Sequence, residues 1–157
     1  MVTFSDTKPE LSVAEVEDFE KKFTISFPVD YKAHLLKHNG GRCVPNVYEF
    51  FEKGNSTNSD VAWFFAIYDG KSNRLDAAIN IYKFDEKRLP KQLLPIARDS
   101  GGNLICISTG SNDYGYIYFG DHESEADYNI TDDTDYSNIY IIAKSLPEFF
   151  DKLFDLE

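Results

Sequence analysis

Apolar side chains near the N-terminus recur at the three- and four-residue spacing of an amphipathic helix. Val16, Phe19 and Phe23 fall on one face, with acidic and lysine side chains between them. Ser12 and Glu15 stand directly before this run as an S-x-x-E capping box, in which each side chain satisfies a backbone amide of the first turn. The pattern therefore predicts a first helix that begins after Ser12.

A second helical pattern follows at once. The Phe-Pro pair at 27–28 opens it, because proline suits the first turn of a helix, where its missing N–H is not needed. Tyr31 and Leu35 are four residues apart and so share one face. The Asn-Gly-Gly sequence at 39–41 predicts the end of this helix, since glycine readily adopts the left-handed conformation found there.

The middle of the chain alternates between strand-forming and turn-forming segments. The polar stretch 52–60 predicts a hairpin loop, and Ser-Gly-Gly-Asn at 100–103 predicts a tight turn. Runs rich in β-branched and aromatic residues predict strands at 44–51, 61–68, 94–98, 104–109, 114–119 and 139–143.

Two further helices are predicted at 74–84 and 145–156, the second opened by another capping box from Ser145 to Glu148. Helices thus precede and follow strands that turns connect directly, which is typical of an antiparallel sheet. The predicted fold class is α+β: a single layer pair, with helices that include a C-terminal helix packed on a mostly antiparallel sheet. With 157 residues, the chain is expected to form one domain, 1–157.

The net charge of −11 lies entirely in the second part of the chain. Residues 1–98 hold 14 acidic and 14 basic side chains, whereas residues 99–157 hold 13 acidic ones and only two basic ones, Lys144 and Lys152. Such a chain repels nucleic-acid phosphates, so direct binding of nucleic acid is not expected. It attracts basic proteins and speeds their association.

Targeting signals and disulfides are not predicted. No stretch approaches the roughly 20 apolar residues that a membrane helix needs. Residues 1–20 are acidic and lack the basic start and apolar run of a secretory signal. We therefore expect a cytoplasmic protein without membrane contact. Cys43 and Cys106 stand beside apolar residues and are expected to be buried free thiols.

Motifs that would indicate an enzyme or a metal site are weak. His34 and His38 have the i, i+4 spacing of zinc ligands, but two surface histidines near a helix C-terminus explain the pair better. The Asp-His-Glu sequence at 121–123 fits a polar turn, and Asp-Asp-x-Asp at 132–135 lacks the glycine and glutamate of a calcium loop. We expect no catalytic residues, no metal and no cofactor.

Several sequence segments resemble the signature motifs of the SUKH superfamily, and together they span roughly residues 12–153. In order, they are Phe-Pro-x-Asp-Tyr-Lys-x-x-Leu at 27–35 with Asn-Gly-Gly at 39–41; Leu-Pro-Ile-Ala-Arg-Asp-Ser-Gly-Gly-Asn at 94–103; Gly115 and Tyr118 with the acidic turn 121–123; and Ser-Leu-x-x-Phe at 145–149.

This resemblance implies a binding function. The superfamily contains a eukaryotic cell-wall-synthesis regulator and many bacterial immunity proteins, whose toxins are most often nucleases, and it offers no catalytic residues to carry over. We therefore expect an immunity protein, not an enzyme, that binds and neutralises a cognate polymorphic or contact-dependent toxin. The expected partner is a toxin protein with a basic nuclease domain. The alternative is a non-catalytic scaffold or regulatory module related to the cell wall or to signalling.

The candidate binding site is the acidic segment 113–136, which contains no Lys or Arg and holds five of the ten tyrosines. Strand alternation places Tyr116 and Tyr118 on one face, expected to be an exposed aromatic platform. Tyrosine is common at binding hot spots, and neighbouring carboxylates would pair with basic residues of the partner. The alternative is an acidic loop that only keeps the protein soluble. The predicted partner-binding residues are Asp113, Tyr114, Tyr116, Tyr118, Asp121, Glu123 and Asp127.

Overall fold

Helices and antiparallel sheets make up the computed structural model, which describes residues 1–85, 89–122 and 136–156. The helices are α1 (Val13–Phe23), α2 (Val29–Lys37), α3 (Leu75–Ala78), which continues into a π-helical segment (Ile79–Asp85), and α4 (Leu146–Lys152). The strands are β1 (Thr3–Ser5), β2 (Arg42–Val44), β3 (Val47–Glu52), β4 (Asn55–Asp60), β5 (Trp63–Phe64), β6 (Leu93–Arg98), β7 (Leu104–Ser108), β8 (Ile117–Gly120) and β9 (Ile139–Ala143). The predicted α+β class is confirmed. Across the described ranges, the helices are too short or too polar to span a bilayer.

The largest sheet has the strand order β5-β6-β7-β8-β9, and each neighbouring pair is antiparallel. Its central strands are apolar on both faces, and Leu93, Ile105 and Ile107 are fully buried. Such continuous apolar runs are typical of strands that are covered on both sides. The hairpin of β3 and β4 provides part of the cover, since the rings of Phe50 and Phe119 stack with their centroids 4.3 Å apart.

The predicted start of the first helix is confirmed. The Ser12 Oγ accepts a hydrogen bond from the Glu15 amide at 3.1 Å, and the Ser12 amide donates to the Glu15 Oε1 at 3.0 Å. Both halves of the capping box are therefore formed. Val16, Phe19 and Phe23 are buried, as the helical spacing predicts.

The second helix is confirmed, although its end lies earlier than the glycine sequence predicts. Tyr31 and Leu35 are both buried on its inner face. The helix ends at Lys37, and Gly40 then takes a left-handed φ of 73°. A Cβ added at Gly40 would lie 2.5 Å from the Cβ of Ala66. Glycine is thus needed here because two chain segments approach closely.

The prediction of a loop at 52–60 is wrong, because most of this polar stretch is the strand β4. It pairs with β3 from Val47 opposite Asp60 to Glu52 opposite Asn55. The turn is only two residues long, Lys53 and Gly54, and both have positive φ, as in a tight hairpin turn. Because β4 pairs on one side only and its side chains are largely exposed, serine and asparagine are tolerated there.

The predicted strand at 61–68 is much shorter in the structure, where β5 holds two residues. After it, the chain leaves the sheet because its amides find other partners. The Ala66 amide donates to the Asn73 carbonyl at 2.8 Å, and the Ile67 amide donates to the Asn39 side chain at 2.9 Å.

The C-terminal helix is confirmed but ends at Lys152 instead of continuing to residue 156. Phe154 exchanges two backbone hydrogen bonds with Val47, at 2.9 and 3.0 Å, which requires an extended chain. Pairing with a distant strand therefore overrides the local helical pattern.

The prediction that His34 and His38 are surface histidines is wrong, because they form part of an aromatic cluster between α2, β1 and α4. The ring of Phe4 lies 4.3 Å from that of His38 and 4.9 Å from that of His34, and the Phe150 ring lies 5.0 Å from His34. Burial, with smaller contributions from His38 and Lys37, lowers the pKa of His34 to about 4. His34 is therefore neutral at physiological pH.

Cys43 and Cys106 are both buried free thiols, as predicted. Burial raises the pKa of Cys43 to about 12, so this thiol stays protonated and unreactive in the folded protein.

We predict that His34 makes stability depend on pH between about 6.5 and 4. The pKa of His34 is 6.5 in the unfolded chain and about 4 in the folded protein, so the unfolded chain binds more protons in this window. The contribution of His34 to the free energy of unfolding is fully present above pH 6.5 and is lost as the pH is lowered towards 4, by up to about 3 kcal/mol. Replacing His34→Phe keeps an aromatic ring and should remove this loss in urea unfolding measured at successive pH values. An unchanged pH profile in the variant would assign the effect to other groups.

Candidate partner-binding surface

The predicted binding residues lie at two opposite ends of β8 instead of on one continuous surface. Asp113 and Tyr114 belong to the loop 109–116 between β7 and β8, which we call the Tyr114 end. Asp121 and His122 follow β8 and form the Asp121 end. The extended chain between the two ends is about 16 Å long at roughly 3.3 Å per residue. The two other predicted residues beyond β8, Glu123 and Asp127, lie outside the described residues.

The carboxylate of Asp113 accepts hydrogen bonds from three hydroxyl groups. Its Oδ1 accepts from the Ser108 Oγ at 2.5 Å, and its Oδ2 accepts from the hydroxyls of Tyr118 at 2.7 Å and Tyr136 at 3.3 Å. The Gln92 amide in turn donates to the Tyr136 hydroxyl at 2.6 Å. Hydrogen bonds to a carboxylate are among the stronger ones in proteins. Asp113 therefore joins β7, β8 and the chain before β9.

Tyr118 is buried, so the prediction of an exposed aromatic platform is wrong for this residue. Only 8% of it is exposed, and its ring meets that of Tyr136 edge-on at 5.4 Å. Burial, followed by the hydrogen bond to Asp113, raises the pKa of Tyr118 well above its usual range. Mainly through burial, the pKa of Tyr136 rises to about 12. Tyr116 on the same side is half-buried.

The loop at the Tyr114 end turns tightly, which explains why β8 begins at Ile117 and not at residue 114. The Gly115 amide donates to the Ser108 carbonyl at 2.9 Å, and the Tyr116 amide donates to the Asp113 carbonyl at 3.0 Å. Gly115 has a φ of 83°, a conformation that a side chain strongly disfavours.

Tyr114 is the one predicted tyrosine in the described chain that is largely exposed, at 52%. Its hydroxyl accepts a hydrogen bond from the Val29 amide at 3.1 Å. Val29 begins α2, where Pro28 provides no side-chain cap, so Tyr114 satisfies one of the amides left unpaired at a helix start. Tyr114 also lines a groove of about 500 Å³, together with residues that include Phe23, Leu94, Lys83 and Lys91.

The Asp121 end is held by backbone contacts to two neighbouring segments. The Asp121 amide donates to the Asn138 carbonyl at 3.0 Å, and the Asn138 side chain donates to the Asp121 carbonyl at 3.2 Å. The His122 amide donates to the Asn103 Oδ1 at 3.1 Å, and the His122 Nδ1 lies 2.5 Å from the same oxygen. These contacts fix the direction in which the chain leaves β8.

Asp99, which the sequence patterns did not single out as a functional residue, is a buried acid that organises the turn at 100–103. Its Oδ1 accepts from the amides of Gly101 at 2.9 Å and Asn103 at 2.7 Å, and its Oδ2 accepts from the Ser59 hydroxyl at 2.7 Å. An aspartate directly before Ser-Gly-Gly-Asn was the available signal, since aspartate commonly accepts from the backbone two residues later. The predicted turn itself is confirmed.

Metal ligands are not gathered anywhere in the ranges 1–85, 89–122 and 136–156, where no three His, Cys, Asp or Glu side chains are placed to hold an ion. The Asp-Asp-x-Asp sequence at 132–135 lies outside those ranges.

We predict that Asp113→Ala lowers the free energy of unfolding by about 2–3 kcal/mol, because three hydroxyls lose their shared acceptor. Tyr118→Phe removes one donor and should cost about 1 kcal/mol. The double variant should lose less stability than the sum of the losses of the two single variants, because both changes remove the same hydrogen bond. Urea unfolding of the four proteins gives the coupling free energy, and a coupling near zero would contradict the network.

Comparison with known proteins identifies the family. The SMI1 / KNR4 family (SUKH-1) matches residues 10–152, a range that contains all the described helices and every described strand except β1. The chain is also similar to the SPbeta prophage-derived uncharacterized protein YokK of Bacillus subtilis (strain 168), with 28% identity over 156 residues that cover 90% of this chain and 73% of that protein. The family match confirms the resemblance seen in the sequence signatures. The chain belongs to the SMI1 / KNR4 family (SUKH-1).

Proposed function

We propose that this protein is an immunity protein that binds a cognate toxin and neutralises it by binding, without catalysis. The observation that carries the proposal is the family match over residues 10–152, since the SUKH superfamily contains many toxin-binding immunity proteins. We also propose that residues 1–157 form one domain and that binding takes place in the cytoplasm.

The charge distribution supports a basic partner at the Asp121 end. Within residues 99–157, Asp99 and Asp113 are acceptors for hydrogen bonds inside the protein. The acidic sequence that continues from Asp121 through Glu123 and Asp127 holds no Lys or Arg before Lys144. A concentration of negative charge of this kind raises the local concentration of a basic protein and speeds its association.

The residues at the Tyr114 end differ in charge from the acidic sequence that begins at Asp121, which supports the Asp121 end as the place where a basic partner binds. The hydroxyl of Tyr114 is already hydrogen-bonded to α2, and two lysines, Lys83 and Lys91, line the groove beside it. A basic partner is not favoured there. We therefore assign Asp113, Tyr114 and Tyr118 to positioning the loop, and we place the partner-binding residues at Asp121, Glu123 and Asp127.

A nuclease is the toxin class that best complements such a surface. An enzyme that binds nucleic acid needs Lys and Arg to meet the phosphates. An acidic protein that covers those residues competes directly with the substrate. In barnase–barstar, a different nuclease–inhibitor pair, close charge pairs of this type have coupling energies of about 1.5–7 kcal/mol. Charge pairs at an acidic surface can therefore contribute substantially to inhibitor binding.

The alternative function is a scaffold or regulatory module of the kind known in the superfamily. The relative described as prophage-derived favours immunity over a housekeeping role. The gene next to this one separates the two functions. A neighbouring gene whose variable C-terminal domain is toxic alone and harmless when co-expressed with this chain supports immunity, and survival and co-purification are the measurements.

We predict that replacing Asp121, Glu123 and Asp127 together by lysine slows association with that toxin domain by roughly tenfold at physiological salt, because the steering charge is reversed. Protection of cells that co-express the toxin should weaken in parallel. Stopped-flow association rates and survival counts measure the two effects. Full protection by the triple variant would place the interface elsewhere.

A matched control uses three exposed acids at the other end of the chain, Glu10, Glu17 and Asp18. Replacing them by lysine changes the net charge by the same amount at a different place. We expect this control to associate at close to the wild-type rate at physiological salt, where charges more than about 8 Å apart are largely screened. Equal slowing by both triple variants would show that only the net charge matters.

A further inference from the structure

A groove of about 490 Å³ lies between β3 and β9, with α4 and Phe154 at its margin. Three large apolar side chains that line it are exposed, namely Phe51 at 61%, Ile141 at 45% and Phe154 at 37%. Strands β3 and β9 are neighbours, yet no hydrogen-bonded ladder joins them in the described part of the chain. We call this surface the β3–β9 groove.

One wall of the groove is a strand of unusual composition for a sheet edge. Strand β9 is the last in the five-stranded sheet, and Ile139–Ala143 contains no charged residue and no proline. Natural proteins protect such edges, since an exposed apolar edge strand tends to pair with another chain. On this edge, the Lys152 ammonium satisfies one backbone acceptor by donating to the Ile142 carbonyl at 2.9 Å. The exposed side chain of Ile141 is left beside it.

The charges of the groove differ from those of the surrounding sequence. Lys144 and Lys152 are the only basic side chains among residues 99–157, and both line the groove. Two carboxylates, Glu49 and Glu148, line it as well. The groove is therefore balanced in charge, unlike the Asp121 end, and a strongly basic partner gains little from it.

Two of these four charges lack an ion pair within the described residues, and they belong to opposite walls. Lys152 pairs with Glu148 at 3.3 Å. Glu49 on β3 accepts a hydrogen bond from the neutral Ser56 hydroxyl at 2.8 Å, and Lys144 directly follows β9. The charge of Lys144 also helps to lower the pKa of Glu148, but neither Glu49 nor Lys144 makes an ion pair of its own in the described residues. A surface with one such charge of each sign can complement itself, because a twofold axis can bring each group to its counterpart on the other copy.

We propose that the β3–β9 groove is a self-association surface on which a second copy of this chain binds. Glu49 of each copy lies opposite Lys144 of the other, and Phe51, Ile141 and Phe154 are covered between them. An apolar centre with a polar rim is the usual composition of a protein interface. The net charge of −11 on each copy opposes association, but most of this repulsion is screened beyond about 8 Å at physiological salt.

Analytical ultracentrifugation with a charge exchange tests the proposal. The mass of the wild-type protein should rise with concentration from 18.0 kDa towards twice that value. Glu49→Lys and Lys144→Glu should each weaken dimerisation by roughly tenfold, because each change occurs twice in the dimer and replaces attraction by repulsion. The double variant, with both charges exchanged, should recover the wild-type affinity to within about threefold.

Two further variants separate a specific interface from general stickiness. Ile141→Asp places a charge in the groove and should abolish the dimer, whereas Val13→Asp, at a comparably exposed position on α1, should not. Circular dichroism checks that both variants are folded. The proposal is overturned if the wild type stays monomeric, if Ile141→Asp leaves a dimer intact, or if the charge exchange restores nothing. A monomer that loses toxin binding through Ile141→Asp would likewise overturn it and assign the groove to the toxin.

Discussion

The antiparallel pairing of β7 with β8 determines where the described candidate residues lie. Both strands are buried on both faces, and their ladder runs from Leu104 opposite Gly120 to Ile107 opposite Ile117. The candidate residues before β8, Asp113 and Tyr114, therefore lie at the opposite end of a buried strand from Asp121. The hydrogen bonds of Asp113 fix one end in place, and the backbone contacts of Asp121 fix the other. The proposed binding surface follows from this division.

Local sequence signals predicted the helices well because their causes are local. The capping box of α1 and the buried face of α2 depend on residues a few positions apart. The errors arose where a distant segment decided the structure. Strand β4 exists because β3 pairs with it across a two-residue turn, and α4 ends early because Phe154 pairs with Val47. Local propensity does not report such pairings.

The candidate binding residues were chosen by composition, and only the fold shows how the described ones are arranged. The alternation of side chains along β8 correctly places Tyr118 on the opposite face from Ile117 and Phe119. It does not show that the ring of Tyr136 packs against Tyr118 on that face. The count of acidic residues likewise does not show which carboxylates accept hydrogen bonds within the protein. Asp99 and Asp113 both do so. Lys144 and Lys152 are the two lysines of residues 99–157, and only the fold shows that they line the same groove.

Amide hydrogen exchange, measured on this chain alone and in complex with the proposed toxin, tests the proposed binding surface most directly. We expect the proposed toxin to protect amides in the segment 119–127 far more than those in the loop 109–116. Protection confined to that loop or to the β3–β9 groove, with segment 119–127 unchanged, would contradict it.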